Sequence, residues 1–160
     1  MALRDKQKDR IRRWIRVIMV FIAVLLLFFA VVVPIINNAI ALGVEKELKK
    51  LPLPDKTELI ESTSIAGKIT GNGNGMQYFG AVLLKSDLSL EELNTYYLPH
   101  REGLFDCLIA PQTEAAISVV DESLSFRHED YSDGNYYVLY TWGSAPKWLW
   151  DILDTDLRGH

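Results

Sequence analysis

Hydrophobic and polar positions divide this chain into two unlike parts. From 17 to 36 every residue is uncharged, none carries a side-chain amide, and the run is almost wholly Val, Ile, Leu and Phe. At about 1.5 Å rise per residue, a helix of this length spans roughly 30 Å, the hydrocarbon thickness of a bilayer. A small soluble chain has no interior that needs a helix apolar on every side for so long. The run reads as a membrane span, taken with its flanks as 15–37. Trp14 is placed to anchor one interface as an aromatic-belt residue, and Pro34 sits near the other end, where a kink is tolerated. Asn37-Asn38 marks the outer boundary.

Past that boundary the pattern becomes amphipathic. Ile40, Val44, Leu48 and Leu51 recur at spacings of four, four and three, one stripe of an α-helix. Glu45 and Lys49 stand at i, i+4 in the favourable order. Such a stripe packs either on the chain's own domain or on a second copy, as a homo-oligomer seam. Leu51-Pro52-Leu53-Pro54 ends the helix, because proline has no N–H to donate and restricts the residue before it. Residues 38–54 are therefore expected to be a juxtamembrane helix and proline linker, and 55–160 one domain. About 110 residues suffice for a single core and not for two.

Within the domain, 58–70 carries β-branched residues at intervals and predicts a strand. In 76–84 both alternating sets are apolar, which predicts a strand covered on two sides. The run Gly71-Asn72-Gly73-Asn74-Gly75 between them predicts a hairpin turn with at least one positive φ. Ser89 and Glu92 make a capping box for a helix over 90–98, with Leu90, Leu93 and Tyr97 inward and Pro99 ending it. Residues 104–110 predict a strand, while 114–120 fits strand or helix. Runs 123–129 and 136–142, separated by a polar turn, predict a second hairpin. Ser144-Ala145-Pro146 opens a last helix, with Trp148, Leu149, Ile152 and Leu153 as its inward face. The fold class expected is α+β, with a mainly antiparallel sheet and two helices after the span.

Charge adds an orientation. The net charge of −4 hides an asymmetry: residues 1–16 carry seven bases against Asp5 and Asp9, a balance of +5, so the remainder carries −9. A basic arm before an apolar span is retained in the cytoplasm. Residues 1–14 are thus a cytoplasmic arm touching anionic lipid rather than nucleic acid, and the acidic domain is exported across the cell membrane. Cys107 is the one cysteine, so no internal disulfide forms, which suits a weakly oxidising envelope. The small-x-small triplet Ala39-Ile40-Ala41 could accept a signal peptidase, giving a secreted form. The apolar run is longer than the roughly 7–15 residues of a signal peptide, which favours an uncleaved anchor.

Candidate chemistry is sparse. The glycine run lacks the Gly-x4-Gly-Lys-Ser/Thr spacing of a phosphate loop, and a strand rather than a helix follows it. His100, His128 and His160 are not at metal-ligand spacing, and nothing local pairs one with Cys107 as a nucleophile–base dyad. Asp130, Asp133 and Asn135 lack the calcium-loop spacing. Asp151, Asp154 and Asp156 read as a solvated face. Aromatic residues gather in the second half, and one face of 136–142 is a candidate aromatic surface for a partner or glycan. Catalytic, cofactor and metal residues are accordingly expected to number none. The expectation is a single-pass envelope protein whose exported domain is a non-enzymatic binding or accessory module beside another membrane or envelope protein. The alternatives are an envelope enzyme and a cleaved, secreted form of the same domain.

Overall fold

The computed structural model describes residues 2–71, 75–101, 106–120, 124–156 and 158. Residues 2–48 form one continuous rod: helix α1 (Ala2–Leu27), a π-helical turn (Phe28–Val32) and helix α2 (Val33–Leu48). The wide turn has a local cause in Pro34. Its ring crowds the carbonyl one helical turn earlier and it has no N–H to offer. The Val33 N–H reaches back five residues to the Phe28 carbonyl, which re-registers the ladder before the proline. The rod ends at Lys49–Leu51, before Pro52 and Pro54, as the sequence predicts.

Along the rod, burial changes abruptly. Residues 7–28 are exposed throughout, and the described part, Gln7–Leu48, contains a window long and apolar enough to cross a membrane. From Val33 onward buried positions recur at Val33, Asn37, Ala41, Val44, Glu45 and Leu48, the spacing of one helical face. That face lies across a four-stranded antiparallel sheet. The strands are β1 (Thr57–Gly67), β2 (Gln77–Ser86), β3 (Leu108–Pro111) and β4 (Tyr136–Gly143), in the order β1-β2-β4-β3. The predicted stripe packs on the chain's own domain, with Val44 and Leu48 buried there and Ile40 and Leu51 half-buried. The packed unit therefore takes in 33–48 as well as the stretch from 55.

The sheet is covered on both faces. Strand β2 is buried at every position from Tyr78 to Leu84, as a central strand with two apolar faces requires. On one face Val82, Leu84 and Leu139 meet α2 and helix α3 (Leu90–Tyr97). On the other, Phe79, Leu83 and Val138 meet Ile117, Val120 and Phe126. Those last three come from an irregular segment, not from strands. The second hairpin expected from 123–129 and 136–142 does not form. Ser125 makes a single bridge to Ala116, and β4 pairs instead with β2 and β3. Residues 114–120 are neither strand nor helix. Period-2 alternation here marks a chain pressed onto an apolar face without joining its ladder.

Helix α3 starts as predicted. The Glu92 N–H donates to Ser89 Oγ at 3.3 Å and the Ser89 N–H to Glu92 Oε2 at 2.8 Å. Leu93 and Tyr97 are buried and Leu90 half-buried. Of the predicted 104–110 strand only the end is seen, as β3 from Leu108; Asp106 and Cys107 lie before it, and residues 104 and 105 are outside the described residues. The last helix is shorter than expected: a 3-10 turn (Lys147–Leu149) and one turn of α-helix, α4 (Trp150–Leu153). Of its predicted inward face only Leu153 is buried and Leu149 half-buried, while Trp148 and Ile152 are exposed.

The β1–β2 hairpin closes at the glycine run. Asn72, Gly73 and Asn74 lie outside the described residues, but Gly71 has φ +65°, in the left-handed region. A Cβ there meets nothing within 4 Å, so substitution is limited by backbone strain and not by space. Gly71→Ala is expected to cost about 1 kcal/mol and Gly71→Asn less. Gly75 has no positive φ and only ordinary contact with Asp154, so Gly75→Ala should melt with the parent. Thermal melts of the three variants check this ordering.

Candidate functional site

The most elaborate polar arrangement joins the rod to the end of the chain. Asn37, on the buried stripe of α2, is wholly enclosed. Its Nδ2 donates to the Leu153 carbonyl at 3.1 Å and to Asp156 Oδ2 at 2.8 Å, and its Oδ1 accepts from the Tyr78 hydroxyl at 2.7 Å. Asp156, also enclosed, accepts from Arg158 Nε at 3.0 Å and from its Nη2 at 2.6 Å. The same guanidinium donates to Asn38 Oδ1 at 2.8 Å and to the Pro34 carbonyl at 3.1 Å. One arginine thus fastens the C-terminal segment to the helix next to its proline. A planar fork with five fixed donors suits this task, where a lysine ammonium would not.

Burial and charge set the protonation states of these groups. The Arg158 hydrogen bonds, helped by Asn37, hold the Asp156 carboxyl at about 2 against its own desolvation. Desolvation, with Asp154 and Asp156 nearby, pushes the Tyr78 hydroxyl up to about 12. The carboxylate is therefore charged and the phenol neutral across the physiological range. Because the folded-state value of Asp156 is depressed, its contribution is complete above the ordinary carboxylate value and is lost as pH falls toward 2. The shift corresponds to about 2 kcal/mol. Acid titration of unfolding should show Asp156→Asn less stable than the parent above pH 4, with the two curves converging as pH approaches 2.

A second polar contact seats α2 on β1. Glu45, nearly buried, accepts from Ser62 Oγ at 2.6 Å and Ser64 Oγ at 2.8 Å, with Lys49 Nζ at 3.9 Å. Two clefts lie near these contacts. One of about 240 Å³ is lined by Met76, Tyr78, Ala145 and Trp150, and one of about 640 Å³ lies between α2 and β1 with Arg158 at its edge. At the edges of these clefts Tyr78, Asp154 and Arg158 hold hydrogen bonds to Asn37, the Met76 N–H and Asp156.

The residues singled out in the sequence are dispersed. Cys107 is buried with Leu93, Tyr97 and Ile109 on the helix-covered side of the sheet. His128 lies on the opposite side, between the rings of Tyr131 and Tyr136 at 5.0 and 4.9 Å, so this cysteine–histidine pair does not meet. His100 stands against Tyr96 and Tyr97, and His160 is outside the described residues. Asp130 accepts from Ser132, while Asp133 accepts from Lys85 and from the Tyr136 hydroxyl, both at 2.7 Å. Asp130 thus serves its own turn, and Asp133 ties that turn to Lys85 on β2.

The solvated-face expectation holds for Asp151, but Asp154 accepts from the Met76 N–H at 2.8 Å and Asp156 is buried. Nor is either face of β4 bare, since Tyr136, Tyr137, Val138 and Leu139 are all buried. After the rod, the exposed large aromatics among the described residues are Trp148 and Trp150. The lock around Asn37 was missed because Asn37-Asn38 reads as the polar edge of a span. The available signal was that Asn37 continues the four-residue spacing of the buried stripe backward from Ala41. The chain matches no protein-family model, no curated protein and no solved structure.

Proposed function

We propose that this chain is a single-pass membrane protein, N-terminus in the cytoplasm and domain outside, whose α+β domain is a non-enzymatic binding or accessory module. The observation that carries the anchored reading is the contrast along one helix. Residues 17–28 stay bare, with Val, Ile, Leu and Phe side chains turned outward on every side, while 33–48 bury a regular stripe against the sheet. Exposed apolar surface of that extent is costly in water and ordinary in lipid. The +5 arm ahead of it supports the orientation.

The packing also favours an uncleaved anchor. A cut after Ala41 would remove Val33, Asn37 and Ala41 from the core and leave Tyr78 and Asp156 without their partner. The domain is therefore built around the end of its own anchor, which fixes its position against the bilayer. That rigid placement suits a module acting beside another membrane or envelope protein. A homo-oligomer seam through the stripe would first have to lift Val44 and Leu48 off the sheet.

Membranes from expressing cells test the reading. After a carbonate wash the protein should remain in the pellet with its N-terminal segment intact. A soluble product beginning at Leu42 would overturn the anchored form. Photo-crosslinkers placed over the exposed faces of the domain in the native membrane should give discrete adducts with a membrane or envelope protein. A domain that instead turned over an envelope substrate without such adducts would favour the enzyme alternative.

A further inference from the structure

The last helical segment is built with its large apolar side chains outward. Trp148 is 80 % exposed, the highest value among the large hydrophobic side chains described, and Trp150 and Ile152 are also exposed. Its inner side is already satisfied: Leu153 is buried, Leu149 packs on the same cluster, and the Trp150 indole N–H donates to the Ala145 carbonyl at 2.7 Å. Among the described residues, none covers Trp148, which stays 80 % exposed. A water-facing turn of helix would normally carry polar residues at these positions.

The position of this segment along the rod supplies the occupant. Leu149 and Leu153 belong to the cluster that contains Val33, with Phe29 and Ile36 packed against it. The Leu153 carbonyl is held by Asn37. The segment therefore lies beside residues 29–37, where Val31, Val32 and Ile35 are still exposed and apolar. If the rod crosses a bilayer, this is the outer end of the crossing, and Trp148, Trp150 and Ile152 stand at that depth. Tryptophan is enriched where the hydrocarbon meets the headgroups, because its ring is apolar and its edge polar. Lys147, next to Trp148 in the chain, is exposed and placed for lipid phosphates.

We infer that the 3-10 turn and α4 form an interfacial belt, resting the domain on the outer leaflet through Trp148, Trp150 and Ile152. The inference rests on the single-pass reading and adds a second lipid contact to it. The belt and the Asn37 lock then act together, since the lock fixes the belt to the rod at one depth and one azimuth. The domain would stand on the bilayer at two points and could not swing on its anchor.

The full chain, reconstituted in phosphatidylcholine vesicles, provides the test. In a Cys107→Ala background, an environment-sensitive fluorophore is attached at Trp148→Cys, at Thr113→Cys on an exposed loop, and at Val24→Cys in the middle of the apolar run. The 148 probe should emit at shorter wavelength than the 113 probe. It should also lose intensity to lipids spin-labelled near the headgroup, more than to lipids labelled deep in the chain. The 24 probe should be quenched by the deep label. If the 148 probe behaves like the 113 probe while the 24 probe is quenched, the belt is wrong and the anchor stands. If the 24 probe is not quenched either, the single-pass reading itself fails. A blue shift at 148 without lipid quenching would assign the patch to a second copy of the chain and overturn the proposal.

Discussion

Gly80→Ala should lift α2 off the sheet and destabilise the domain by about 3 kcal/mol, near the upper end of what overpacking costs. A Cβ at Gly80 would stand 2.8 Å from the Glu45 nitrogen, 3.0 Å from its Cα and 3.1 Å from the Val44 carbonyl carbon. These are backbone atoms in mid-helix, and no rotamer change relieves them. Alanine also restricts the unfolded chain, a gain of at most about 1 kcal/mol that the clash outweighs. Gly143, on the same face of neighbouring β4, gives the contrasting case. Its Cβ would overlap Val44 Cγ2, the tip of a side chain. Gly143→Ala should therefore be rescued in good part by Val44→Ala, and Gly80→Ala should not be. Denaturation of both single and both double variants decides it. Equal rescue in the two pairs would mean that helix and sheet are not seated as described.

Asn37→Leu should cost a similar amount, about 3 kcal/mol, although it makes the helix more apolar. The substitution strips a partner from the Tyr78 hydroxyl, the Leu153 carbonyl and Asp156 at once. Leaving buried polar groups unpaired costs more than the bonds themselves contribute. Arg158 retains its two bonds to Asp156, which limits the loss. Tyr78→Phe in the Asn37→Leu background should recover about 1 kcal/mol, since one orphaned hydroxyl is removed. A stable Asn37→Leu protein would show that the C-terminal segment is held elsewhere.

Much of the local structure was legible in the sequence. The two-faced pattern of 76–84 identified the central strand, the Ser89–Glu92 pair located the start of α3, and the Pro52/Pro54 pair ended the rod. Local signals of that kind act over a few residues and are insensitive to what lies beyond. The expected second hairpin failed because alternation reports burial of one side of an extended chain, whether or not its backbone joins a ladder. Segment 124–131 packs on the sheet face without pairing to it. The last helix was read half correctly: Leu149 and Leu153 turn inward as expected while Trp148 and Ile152 turn outward, because one apolar stripe does not say which of its residues reach the core. The Asn37 lock depends on residues 116 and 119 positions apart, a separation at which no periodicity operates.

We propose that one helix carries the chain out of the cytoplasm and then becomes part of the exported domain's core. Two single-cysteine proteins in the Cys107→Ala background test it directly, one with Lys8→Cys in the basic arm and one with Thr113→Cys on the domain. Both sites are exposed. Intact cells are treated with a membrane-impermeant maleimide, before and after permeabilisation. Position 113 should label in intact cells and position 8 only after the membrane is opened. Labelling of position 8 in intact cells with protection of position 113, or equal labelling of both, would contradict the account.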